Sequence, residues 1–300
     1  MKTRAEATSQ RYKTIALTTS YWRPGENHKE RIVDALRGKI QNADIVTISE
    51  KALLTATGNI TDESRINASL LAKFLAKYWM RILWGYPLGI LCHLRKNTIR
   101  RLRSYPVEEG ARHKQLALAK AGFLHSLMHG SEGGIDGSNL PYSYVSLPIN
   151  APNELAEQIR QAIQSELRKD ATLMIVDTDK TFTFMNFHFT PRPVSTRGIR
   201  SLGGILAYTL GRFLKFNMRA TPIAISGSTM DPETALDVAD LANKVRGCGA
   251  GRTVWDMAEA FDVPLTEVTW QMLDRIEHKP VVIVRAKRKK HIKGKRTSLS

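Results

Sequence analysis

Residues 173–179 read LMIVDTD, four apolar residues that end on two acids, and the fold assignment turns on them. A short apolar run bounded by polar residues reads as a buried strand, and α/β architectures place ligand-binding groups where such strands end. Asp177, Thr178 and Asp179 are therefore candidates to hold a hard cation, since Mg²⁺ and Mn²⁺ prefer oxygen ligands and nucleotide phosphates. Asp-Thr-Asp-Lys is equally good turn chemistry, so the stretch alone does not choose between site and turn.

Working outward, residues 152–168 set Leu155, Ile159, Ile163 and Leu167 on one helical face, and residues 181–189 alternate phenylalanines imperfectly, as a strand with a bulge would. Residues 14–18 (TIALT), 44–49 (DIVTIS), 143–147 (SYVSL), 221–226 (TPIAIS) and 280–284 (PVVIV) read as further strands. Helical spacing predicts helices over 30–40, 62–83, 97–103, 110–129 and 231–245, with Asp62 or Ser64 capping the second and Asp231 the last. Residues 254–276 read as two helices parted at Val263-Pro264, while four glycines weaken any helix over 198–216. The chain has no internal repeat.

A second polar stretch, SEGGIDGSN at 131–139, sits between a predicted helix and strand. Its glycines let backbone N–H groups approach an anion and Asp136 can hold a cation beside it, although a polar turn explains the same residues. Gly247, Gly249 and Gly251 can cradle phosphate at the N-terminus of the next helix, or simply end one helix and link to another. No G-x-x-x-x-G-K-[ST] occurs, so a P-loop is excluded. His113, His125, His129 and His188 lack metal-ligand spacing and read as core or solvated histidines.

The chain has 300 residues and a formal charge of +17, an anomaly in an otherwise ordinary globular composition. Eight basic residues and no acid lie from Arg285 onward, and residues 92–120 hold eight more against Glu108 and Glu109. The rest of the chain is nearly neutral. The run RKNTIRRLR at 95–103 can meet a phosphate backbone or form a solvated helix face, and the C-terminal residues read as a disordered basic tail with weak, non-specific nucleic-acid affinity. Two cysteines form no disulfide framework, and the N-terminal residues lack the apolar segment of a secretory signal; a cytoplasmic location is expected. The apolar stretch at 78–94 is too short and interrupted to span a membrane.

In this order, DIVTISEKALLTATG, GGIDGSN, IVDTD, the helix containing DLAN, and PVVIVR resemble the coenzyme F420-0:L-glutamate ligase family across roughly residues 12–285. The resemblance implies a GTP-dependent amide ligase that adds L-glutamate to the carboxyl end of a deazaflavin coenzyme. It implies an α+β fold, a two-lobed mixed α/β ligase domain over 12–285, forming an intertwined homodimer with its site in a groove between lobes; residues 1–11 are then an N-terminal extension and 286–300 the basic tail. Asp136, Asp177 and Thr178 are the implied metal ligands, for Mg²⁺ or Mn²⁺, with K⁺ as a further ion. Asn139, the early loop Thr19, Ser20, Tyr21 and Trp22, and Gly247, Gly249 and Gly251 are the expected nucleotide contacts. The lysine that family members carry near the phosphates is replaced by Thr55, and Lys51, one helical turn earlier, is expected to reach the same place. Residues 79–120 and 253–276 read as expansions of the family pattern. A folate-directed ligase of the same fold and a non-catalytic nucleic-acid-binding protein are the alternatives; the latter predicts steeply salt-dependent binding and no transfer from GTP.

Overall fold

A computed structural model describes residues 4–287. Its centre is a seven-stranded mixed sheet built from β1 (Tyr12–Thr19), β2 (Ile45–Ser49), β5 (Thr172–Phe184), β6 (Phe187–Thr190), β7 (Ile199–Ser201), β8 (Asn217–Ser226) and β9 (His278–Ala286). A separate ribbon pairs β3 (Ile60–Asp62) with β4 (Tyr144–Ser146). The last strand, β9, lies between β1 and β2 and is antiparallel to both, so the C-terminal segment completes the middle of the sheet.

Both faces of the sheet are covered, which is why LMIV is apolar at every position rather than at alternate ones. Leu173 and Ile175 pack with Ile32, Leu36, Ile159 and Ile163 of helices His28–Leu36 and Pro152–Leu167. Met174 and Val176 pack with Ala235, Val238 and Ala239 of helix Pro232–Arg246 on the other side. A second core, around Leu75, Met80, Trp84, Leu102 and Tyr105, holds the helices of residues 70–128 together.

The pairing of β5 positions the site. β8 pairs along one edge of β5, from Leu173 to Thr183, so β2 and β6 must share the other edge. β2 runs parallel to the first half of β5 and stops at Ser49 opposite Val176; β6 runs antiparallel along the second half, with Phe189 opposite Phe182. The C-terminal ends of β2 and β6 thus point at each other across a gap in that edge. Within the gap β5 bulges: Asp177 pairs with Thr221 and Lys180 with Ala220, leaving Thr178 and Asp179 as extra residues. Thr221 fastens the bulge, its Oγ1 donating to the Asp179 carbonyl at 2.7 Å.

Several sequence expectations change. The bulge expected within 181–189 lies earlier, and the irregularity there is a tight hairpin between β5 and β6 with Met185 at φ 52°. The helix expected over 62–83 begins later. Asp62 ends β3 and caps a 3₁₀ turn, Ser69 caps helix Leu70–Phe74, and the chain continues as a π-helix over Leu75–Trp84. A helix does form over Ile205–Phe213 despite the glycines, because Gly204 precedes it and Gly211 lets Phe182 pack against its backbone. The expected N-terminal extension contains helix Arg4–Arg11, which runs directly into β1. The basic tail from residue 288 lies outside the described residues.

Candidate functional site

Beside the gap in β5 lies a cleft of about 990 Å³. Asp136, Asp177, Thr178, Lys51, Asn139, Tyr21, Trp22, Gly247, Gly249 and Gly251 all line it. Thr19 and Ser20 do not. Thr19 Oγ1 lies 3.2 Å from His278 Nδ1 and donates to the Ser20 carbonyl, while the Ser20 hydroxyl accepts from Arg31.

Each side chain arrives by a local device. Ser49 caps helix Glu50–Ala56, whose first turn projects Lys51 onto Asp136, with Nζ also donating to the Asp136 carbonyl at 2.9 Å. Thr55, one turn later, folds back on Lys51 by donating to its carbonyl at 2.9 Å. Asp136 is further held by the Ser138 N–H at 2.9 Å and hydroxyl at 2.6 Å. Burial raises the Asp136 carboxyl, but Lys51 and Ser138 outweigh it and leave its pKa below the ordinary value.

Asn139 anchors the second glycine loop. Its amide donates to the carbonyls of Cys248 and Gly251 and accepts from the Ala250 N–H at 2.7 Å. A Cβ on Gly249 would come within 2.5 Å of Asn139 Oδ1, so this glycine permits the close approach. Tyr21 donates to the Asn139 carbonyl and lies against His278, ring centroids 4.6 Å apart.

At the gap itself Asp177 is incompletely satisfied. Its Oδ1 accepts the Thr178 N–H at 2.6 Å, whereas Oδ2 is buried without a hydrogen-bond partner. Asp179 Oδ2 accepts from Ser131 at 2.6 Å; burial, then the neighbouring Asp177, pushes the Asp179 carboxyl well above its ordinary pKa. Arg192, which follows β6, and Glu50, which follows β2, meet here at 2.6 Å, both nearly inaccessible. Burial pushes the Glu50 carboxyl up to about 7, against the pull of Arg192. Arg246, on the last turn of its helix, donates to Thr178 Oγ1 at 2.9 Å and Asn243 Oδ1 at 2.6 Å and, among the described residues, forms no ion pair within 4 Å of a carboxylate.

The donor set at the gap, carboxylates and a hydroxyl, is hard oxygen chemistry, and the orphaned Asp177 Oδ2 is an acceptor for a cation. Among the described residues no three His, Cys, Asp or Glu side chains converge closely enough to hold an ion by themselves. Such a site fits Mg²⁺ or Mn²⁺ completed by phosphate and water.

The cleft also exposes what sequence reading missed. His113 is a core histidine, held at 2.6 Å by Glu63 and at 2.6 Å by Glu132, and Glu132 also receives Lys114. Nothing local to HK at 113–114 or to the EGG of the loop announces this cluster. Arg192, in PRP at 191–193, and Glu50 become visible only once β2 and β6 are known to meet. Within the basic run, Arg101 is bound to Asp256 and Glu259, each at 2.6 Å, and Arg103 donates to the Gly85 carbonyl, whereas Arg95, Lys96 and Arg100 are exposed, as a solvated helix face would have them.

Comparison with known sequences places the chain in a ligase class. The pattern of the F420-0:gamma-glutamyl ligase family matches residues 16–249, and the chain belongs to that family. An uncharacterized protein of Methanocaldococcus jannaschii is 35% identical over 285 residues, covering 90% of this chain and 95% of the relative. The match includes residues 79–120 but ends before helices Val254–Phe261 and Trp270–Leu273 and before β9. Among the described residues no helix is long and apolar enough to cross a membrane.

Proposed function

We propose that the protein is a nucleotide- and divalent-metal-dependent γ-glutamyl ligase that joins L-glutamate to the carboxyl end of coenzyme F420-0, with GTP as co-substrate. The observation that carries this reading is the Asp177-Thr178-Asp179 bulge, with its unsatisfied carboxylate oxygen, lining the same cleft as Asp136, Lys51 and the two glycine loops.

A carboxylate must be activated before an amine can attack it, and transfer of a γ-phosphoryl group gives the acyl phosphate from which the amine displaces phosphate. Such a transfer depends mainly on positioning and charge neutralisation rather than on a nucleophilic side chain. Asp136, Asp177 and Thr178 are the residues to hold Mg²⁺ or Mn²⁺, which when bound neutralises charge on the phosphate oxygens. Lys51 supplies a cation beside Asp136, and the guanidinium of Arg246, bonded to Thr178 and Asn243, is placed to meet a phosphate at the mouth of the 247–251 loop. Asn139 keeps that loop in shape, and Tyr21 and Trp22 wall the early loop. The exposed apolar residues Leu206, Leu210 and Phe213, with Phe184 and Met185 at the hairpin tip, offer a surface for the second copy in a homodimer.

The test is direct. The protein is incubated with GTP or ATP, Mg²⁺ or Mn²⁺, glutamate and either the deazaflavin or a folate, and the acceptor is weighed for an added glutamate. GTP-dependent addition to the deazaflavin is expected, and Asp136→Ala and Asp177→Ala are each expected to abolish it while the fold persists. Full turnover in either variant, or addition to the folate alone, would overturn the reading.

A further inference from the structure

Arg192 sits where the ends of β2 and β6 face each other, 2% exposed. Pro191 and Pro193 flank it and restrict its backbone. Its guanidinium is surrounded by three carboxylates from two segments, yet it bonds firmly to only one. Nη2 lies 2.6 Å from Glu50 Oε1, whereas Nε is 3.4 Å from Asp177 Oδ2 and Nη1 is 3.8 Å from Asp179 Oδ2. Neither Arg192 Nε nor Asp177 Oδ2 has a hydrogen-bond partner. Glu50 therefore tethers the guanidinium just short of Asp177, and Asp177 keeps an oxygen for something else. The glycine loop is shaped around the same group: a Cβ on Gly134 would stand 2.0 Å from Arg192 Nη1.

We propose that Arg192 is a positioning residue that aims Asp177 and Asp179 into the cleft and thereby sets the affinity of the free protein for a divalent cation. The proposal rests on the metal-dependent ligase reading. Its geometry follows from the fork: one arm is spent on Glu50, and the other two nitrogens lie 3.4 and 3.8 Å from Asp177 and Asp179, where their charge attracts both carboxylates without hydrogen-bonding them. A merely charge-balancing Arg192 would serve as well if it were Lys, and its removal would leave more negative charge for an ion to neutralise. A positioning Arg192 is not replaceable in either way.

Mn²⁺ binding to the nucleotide-free protein, followed by loss of the free-ion electron paramagnetic resonance signal, separates the two. For Arg192→Lys and Arg192→Gln we expect Mn²⁺ to bind about tenfold more weakly than to the wild type, the scale found when residues orienting metal ligands are lost. Thermal melting of each variant verifies that it is folded. Unchanged affinity in Arg192→Lys, or tighter binding in Arg192→Gln, would overturn the positioning role while leaving the ligase reading intact. Failure of both variants to fold would make Arg192 a folding residue and overturn it too. Absence of Mn²⁺ binding in the nucleotide-free wild type would overturn this assignment and leave the ligase reading, whose ion is completed by phosphate, to the turnover assay.

Discussion

Two buried charge clusters border the same cleft, and they are built on opposite plans. In the first, Glu132 is wholly inaccessible and both its oxygens are taken, one by Lys114 and one by His113, whose other nitrogen is held by Glu63. In the second, Glu50, Asp177 and Asp179 share Arg192, and Asp177 Oδ2 and Arg192 Nε at its centre face each other at 3.4 Å with neither making a hydrogen bond. A buried polar network whose members are all satisfied fixes a structure, whereas an unsatisfied buried group in a native protein calls for a ligand or another explanation. The closed cluster ties helix Val107–Lys120 to the first glycine loop; the open one is where chemistry is expected.

Removing one partner from each cluster should therefore have unequal consequences. Glu132→Gln leaves Lys114 and His113 buried with a single remaining carboxylate, Glu63, and is expected to cost about 3–5 kcal/mol of stability. Asp177→Asn removes a charge from a crowded group of carboxylates and is expected to change stability by no more than about 1 kcal/mol while abolishing ligation, as when a strained site trades stability for function. Urea unfolding of the two variants beside the wild type measures both. Equal losses would erase the distinction between a closed and an open cluster.

Acid sharpens the comparison with a smaller effect. Burial lowers the His129 pKa to about 4; its ring lies between Trp84 and Tyr208, near Glu132, Lys114 and Arg212. A histidine whose folded pKa is depressed binds its proton more readily when unfolded, so stability must fall as pH drops from about 6.5, the unfolded value, toward 4. His113 has the opposite sign: burial lowers its pKa, but Glu132 and Glu63 outweigh that and raise it well above the ordinary value, so its contribution is kept in acid and lost only as pH rises through that raised value. Melting temperatures between pH 7 and pH 4 should decline in the wild type and decline less in His129→Phe, which keeps the ring and removes the titration. Identical slopes would exclude His129 as the source.

The same contrast explains what was legible in the sequence. The strands around LMIVDTD, the helix Pro232–Arg246 with its Asp231 cap and the parted helices after Thr253 follow from local periodicity and capping, and they formed as expected. Asp136, Asp177 and the glycine loops could be picked out as candidates by residue type, though a turn accounts for the same types, and the fold is what brings them to one cleft. Glu50, Arg192, Glu132 and His113 could not, since each matters only through a partner far along the chain, and pairing across 142 residues, as in Glu50 and Arg192, has no local signature. The helix expected from residue 62 began late because Asp62 is used by the β3–β4 ribbon, a long-range pairing that overrode the cap.

A third set of charges gives the comparison its lower bound. Arg101 bridges Asp256 and Glu259 on helix Val254–Phe261, beyond the family match, and its partners are half or largely exposed. Water already solvates these carboxylates, so ion pairing there adds little, and apolar contact such as the edge-on approach of Tyr105 to Trp255 at 6.0 Å contributes independently to holding the helix. Arg101→Ala is expected to cost about 1 kcal/mol or less and to lower the melting temperature by a few degrees at most. Added salt should remove much of what difference there is. A loss approaching that of Glu132→Gln, and insensitive to salt, would mean that this clamp behaves as a buried cluster despite its exposure, and that closure of the network rather than burial separates structural charges from functional ones.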